Sequence, residues 1–111
     1  MVDDRLSVHG VGAARPPWKR TGDKHFPFAA MQACRWWVLR LNHDFPEHDL
    51  YTLFVDGRAV VDVTGAPDSE IPLVASIGAL SLAGEQELSG DVVIEAIGGL
   101  AGLVDYGSEH R

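Results

Sequence analysis

Leu50-Tyr51-Thr52-Leu53-Phe54-Val55-Asp56-Gly57-Arg58-Ala59-Val60-Val61-Asp62-Val63-Thr64 decides the fold. Two runs of β-branched and aromatic residues flank an Asp-Gly pair, and a two-residue type I′ turn needs positive φ at both central positions, which Asp and Gly tolerate best. The stretch is therefore a β-hairpin. Counting outward from the turn places Val55 opposite Arg58, Leu53 opposite Val60 and Tyr51 opposite Asp62. Strict alternation then puts Leu50, Thr52, Phe54, Ala59, Val61 and Val63 on a core face. Tyr51, Leu53, Val55, Arg58, Val60 and Asp62 fall on a second face, too apolar for bare solvent and too charged for a dry core.

Upstream, Arg35-Trp36-Trp37-Val38-Leu39-Arg40-Leu41-Asn42 has the aromatic and aliphatic density of a strand, and Phe28-Ala29-Ala30-Met31-Gln32 can extend beside it. Ala33 and Cys34 between them are poor residues for a primed turn. In the Trp strand Trp37, Leu39 and Leu41 make a core face and leave Trp36, Val38 and Arg40 opposite. Downstream, Gly65-Ala66-Pro67-Asp68 ends the hairpin. Residues 71 to 88 stay open, because Leu73, Ile77 and Leu80 suit a helix while Gly78 and its small neighbours suit a strand or loop. Ser89 can cap a helix that carries Asp91 in its first turn, presents Val93, Ile97 and Leu100 to the sheet, and stops at a left-handed Gly98-Gly99. Leu100 to Tyr106 is short enough to return as a last strand. The expected class is α+β, a mostly antiparallel meander with its central hairpin at Asp56-Gly57, covered on one face by a short helix near Ser89 to Gly98.

The run Arg35 to Asn42 followed by Leu53-Phe54-Val55-Asp56-Gly57 resembles a group of small, uncharacterised single-domain bacterial proteins. The resemblance spans Phe26 to Thr64, with Tyr106-Gly107-Ser108-Glu109 as a second echo. Members tend to carry a better turn pair where this chain has Ala33 and Cys34, and often continue past the echo. The resemblance implies the same fold and no activity.

At 111 residues the chain fits one domain, and its 46% hydrophobic and 23% charged content is that of an ordinary globular protein. Residues 1 to 24 mix Gly and Pro with polar groups and read as an irregular, partly docked arm on a single domain of residues 25 to 111. The arm carries five basic residues against three acidic ones, and the remainder four against thirteen, within a net charge of −7. So acidic a body repels phosphate backbones, which disfavours nucleic acid and favours a basic partner. Trp18-Lys19-Arg20 is either a hook for an acidic partner or, more simply, a tether onto the protein's own acidic body. No apolar run approaches a membrane span, the N-terminus lacks the apolar core of a secretory signal, and a lone Cys34 forms no internal disulfide; a cytoplasmic location is expected.

Several clusters invite chemistry. His43-Asp44-Phe45-Pro46-Glu47-His48-Asp49 holds two imidazoles and three carboxylates, so His43, Glu47 and His48 are weak candidates for a metal, although a solvated loop has the same composition and the spacing fits no zinc motif. Cys34 beside Arg35 is a nucleophile only with a base that no motif selects, and otherwise a small hydrophobe. Gly98 to Gly102 looks like a phosphate loop but closes a helix instead of opening one. Arg40, Tyr51 and Asp62 form the least trivial polar set, either an anion site with Asp62 as base or a structural ion pair capped by tyrosine.

These residues support a cytoplasmic protein-binding or inhibitory, immunity-like module. Its contact face would comprise Trp36, Val38, Arg40, Tyr51, Leu53, Arg58 and Asp62, joined by Val55 and Val60, and would meet another protein or a second copy. The alternative is a small enzyme or ligand-binding protein whose pocket is built on Arg40, Tyr51 and Asp62. Neither reading requires a cofactor.

Overall fold

The structure, a computed structural model, describes residues 8–43, 46–80, 87–100 and 102–103. Among these, five strands form one antiparallel meander in the order β1-β2-β3-β4-β5: β1 Lys19–Arg20, β2 Phe28–Gln32, β3 Arg35–Leu41, β4 Tyr51–Val55 and β5 Arg58–Val63. Helices α1 (Val8–Ala13), α2 (Pro72–Gly78) and α3 (Gly90–Ile97) complete the described chain, α3 running into a 3₁₀ turn over Gly98–Leu100. The class is α+β, as the residue pattern indicates.

The Asp56-Gly57 turn adopts the expected positive φ at both positions, 55° and 83°. So does the β2–β3 turn, where Ala33 and Cys34 sit at 53° and 63° although neither favours the left-handed region. Close pairing of the strands on either side, with Gln32 opposite Arg35 and Ala30 opposite Trp37, holds that turn in place. An ion pair of 3.5 Å between Arg35 and Asp56 links the two turns at one end of the sheet.

The β4–β5 register corrects the simple count. Val55 faces Arg58 and Phe54 faces Ala59, but a β-bulge follows, so that Leu53 faces Val61, Thr52 faces Asp62 and Tyr51 faces Val63. Val60 is the extra residue; it and Val61 both pack towards the same core cluster. A slip of one residue moves every later side chain to the other face. Asp62 therefore lies beside Thr52, and Tyr51 lies on the opposite side of the sheet.

The sheet is buried on both faces. Trp37 and Leu39 of β3, Leu53 and Val55 of β4, and Val63 pack against Val11 of α1, Leu73 and Ile77 of α2, and Trp18. On the reverse, Ala29, Val38 and Phe54 pack against Phe26, Ala96 of α3 and Leu100. The helix expected near Ser89 to Gly98 covers this second side, and α1 with α2 add a cover on the first. The supposed contact face is corrected accordingly. Leu53 and Val55 are fully buried beside Trp37, not beside Trp36, because β3 and β4 pair Trp37 with Val55 and Arg40 with Thr52.

The ambiguous segment is a helix. Pro72 occupies its first turn, where the missing N–H costs nothing, and Leu73 and Ile77, four apart, reach the core. Gly78 serves packing: a Cβ there would lie 2.3 Å from the backbone nitrogen of Pro67, so the loop after β5 can close onto the helix only where no side chain intervenes. At α3 the backbone of Ser89 is extended but its side chain makes no capping bond; the Val93 N–H donates to the Ser89 carbonyl at 2.9 Å. Gly98 is right-handed (φ −56°, ψ −36°), so the helix tightens into the 3₁₀ turn instead of stopping at a left-handed glycine, and Leu100 ends in the core, not in a strand. The echo at Tyr106 to Glu109 lies outside the described residues.

Of the arm, Trp18 to Arg20 join the fold. Trp18 is buried in the first core, and its indole N–H donates to Ser76 Oγ at 3.3 Å. Lys19 and Arg20 extend the sheet beside Ala29 and Phe28. Asp23 Oδ1 accepts the backbone N–H groups of His25 (2.7 Å) and Phe26 (3.0 Å), which shapes the link to β2. Apolar burial and main-chain pairing hold Trp18 to Arg20.

Candidate functional site

Arg40, Asn42 and Thr52 project from β3, its end and β4 towards the α3 side, and all three are buried, Arg40 and Thr52 at 0% and 1% exposure. Arg40 donates through Nε to Asn42 Oδ1 at 3.0 Å, through one terminal nitrogen to Thr52 Oγ1 at 3.1 Å, and through the other to the Leu103 carbonyl at 3.1 Å. Its guanidinium carbon stands 5.2 Å from the centre of the Phe54 ring, within cation–π range. Thr52 Oγ1 also accepts from Asn42 Nδ2 at 2.9 Å and donates its single proton to Asp62 Oδ1 at 2.7 Å. Thr52 thus uses one donor and two acceptors, its full capacity.

The expected trio of Arg40, Tyr51 and Asp62 is therefore not assembled. Asp62 reaches Arg40 through Thr52, while Tyr51 packs across the sheet edge-on to Phe28, ring centres 6.4 Å apart. Burial raises the Tyr51 phenol above its ordinary value of 10.0. A guanidinium so enclosed cannot receive an anion from solvent; its arrangement is that of a structural network. Asn42 and Thr52 were not singled out from the residue pattern. The one signal was Val60-Val61, a break in alternation that marks the bulge and carries Asp62 to their face.

The other candidates are also dispersed. Trp36 and Tyr51 are partly buried on opposite faces, and the Trp36 indole donates to Glu95 of α3 at 3.3 Å. Val38 and Leu53 are core on opposite faces, and Arg58 is exposed at the turn. Among the described residues no three His, Cys, Asp or Glu side chains group as metal ligands, so His43, Glu47 and His48 are not gathered; His43 instead meets His25 edge-on at 5.5 Å. No described helix is long and apolar enough to cross a membrane.

An open apolar feature lies elsewhere, along β5. A groove of about 330 Å³ is walled by Val61 and Val63 of β5, Val11 of α1, and Ile71, Leu73 and Val74 at the start of α2, with Asp49, Asp62 and Thr64 at its polar margin. Two local features shape it. Ile71 precedes Pro72, is held extended (φ −89°, ψ 115°) and leaves its side chain 52% exposed. Asp49 Oδ1 accepts from Thr64 Oγ1 at 2.9 Å, and Thr64 Oγ1 accepts the Leu50 N–H at 3.1 Å, which fixes the carboxylate beside the end of β5. β5 is the outer strand on this side, with no further strand beyond it among the described residues.

The chain matches no protein-family model, and comparisons with curated proteins and with solved structures return no match.

Proposed function

We propose that this protein is a small protein-binding module whose contact surface is the groove beside β5. The observation that carries this reading is an apolar cleft, open at an edge strand, that displays a half-exposed isoleucine within an acidic surface. Interfaces concentrate apolar contact at such a centre and ring it with polar groups. The polar network around Arg40 supports the same reading by elimination, since its hydrogen bonding is engaged inside the fold. The pocket on Arg40, Tyr51 and Asp62 loses its geometry because Tyr51 is across the sheet. A net charge of −7 suits a basic partner, as an inhibitor of a basic protein would need.

The test is photo-crosslinking in the cells that make the protein, with the reactive side chain placed at Ile71 or, as a control on the opposite cover, at exposed Asp91. Protein adducts at position 71 and not at 91 support the reading. Adducts at 91 alone contradict the placement, and adducts at neither contradict a protein-binding role.

A further inference from the structure

Resting on that reading, we infer that the groove takes an extended peptide segment that adds to the edge of β5 as a sixth strand, with aliphatic residues at alternate positions and lysine or arginine between or beside them. Three observations converge on this occupant. First, the groove lies between an outer strand and the start of a helix, walled by Val61 and Val63 on one side and Ile71 and Leu73 on the other. A strand laid along β5 would point every second side chain into that space, so backbone pairing and apolar burial would reinforce one another. The volume of about 330 Å³ is at the lower end for ligand pockets, suited to one or two aliphatic side chains.

Second, among the described residues the charged groups at the margin are acidic. Asp49 lines the groove, and exposed Asp68 and Glu70 stand in the loop that leads to Ile71. A cationic segment is attracted and an acidic one repelled. Third, the edge is unsuited to a second copy of this chain. The bulge at Val60 bends β5 away from a flat two-fold pairing, and antiparallel pairing about the straight part that follows the bulge would bring Asp62 towards its own counterpart.

Titration of the ¹⁵N-labelled protein tests the inference with four probes: a short end-capped peptide of alternating valine and lysine, its valine–glutamate counterpart, the valine–lysine peptide N-methylated along one edge, and an amphipathic helical peptide of the same charge. Saturable shifts of the Val61, Val63 and Ile71 amides with the valine–lysine peptide are expected. Binding should weaken at least about tenfold on N-methylation, through loss of main-chain hydrogen bonds, and by a similar factor in Ile71→Asp. The glutamate peptide should not bind. Equal binding of the N-methylated peptide, or preference for the helical one, overturns strand addition while leaving a protein-binding groove. Equal binding of the glutamate peptide overturns the charge selection. Absence of shifts with all four overturns the inference, and crosslinking at Ile71 then decides separately whether the groove contacts a protein at all.

Discussion

Thr52 is the residue on which the buried polar network turns, because its one hydroxyl serves Arg40, Asn42 and Asp62 together. Replacing it with valine keeps the shape and removes one hydrogen bond from each of Arg40, Asn42 and Asp62, and loss of such bonds in a buried network costs about 1–3 kcal/mol. Thr52→Val should therefore lower the free energy of unfolding by an amount in that range, read as a lower urea midpoint at unchanged slope, while Thr52→Ser retains most of the stability. A midpoint equal to wild type would mean that water or another group replaces the hydroxyl. Across the sheet, Tyr51 makes a prediction about pH. Burial holds its proton more tightly in the folded state than in the unfolded chain. Above pH 10 the unfolded chain then binds fewer protons, so stability falls as pH rises from 10 towards the raised value. Equilibrium unfolding measured across this range should show the decline, and Tyr51→Phe should reduce it.

At the scale of elements, the two hairpin turns differ in cost. Asp56-Gly57 suits positive φ, whereas Ala33 and Cys34 are held there by the strands they join, and the left-handed region costs a residue with a Cβ about 1–2 kcal/mol. Ala33→Asn with Cys34→Gly should stabilise the protein by about 1–2 kcal/mol in denaturant unfolding, and loss of stability would show that the native side chains contribute contacts at the turn. This hairpin was hard to read because tertiary pairing overrides local preference. The bulge was hard for the opposite reason: Val60-Val61 breaks the alternation, but two successive valines satisfy either register, so the pair alone does not say which residue is extra. Since β3 is covered on both sides, its adjacent tryptophans both support the fold. Trp37→Ala should cost about 3–5 kcal/mol. Trp36, partly exposed and tied to Glu95 of α3, should cost less, about 1–3 kcal/mol, when truncated. Stability unaffected by Trp36→Ala in melting experiments would contradict the cover that α3 provides.

For the whole molecule, the class and the central hairpin were legible because alternation and an Asp-Gly turn are local signals. The second helical cover was not, since α1 and α2 are short and the apolar spacing of Leu73, Ile77 and Leu80 competes with Gly78, whose reason is a close approach from a loop ten or more residues earlier. The candidate surface followed that error: a sheet thought bare on one side offered a contact face, and with both faces covered the groove at its edge is one apolar surface that stays open. Charge remains as read, with the groove margin sharing the acidic sign of the whole chain. On the proposed function, Thr52 and Arg40 serve stability and Ile71 serves recognition. The affinity of the valine–lysine peptide for folded Thr52→Val and Ile71→Asp proteins, measured below the melting range of each, tests this division most directly. The predicted result is wild-type affinity for Thr52→Val and a loss of about tenfold or more for Ile71→Asp; unchanged affinity in Ile71→Asp together with lost affinity in Thr52→Val would contradict it and return the binding site to the buried network.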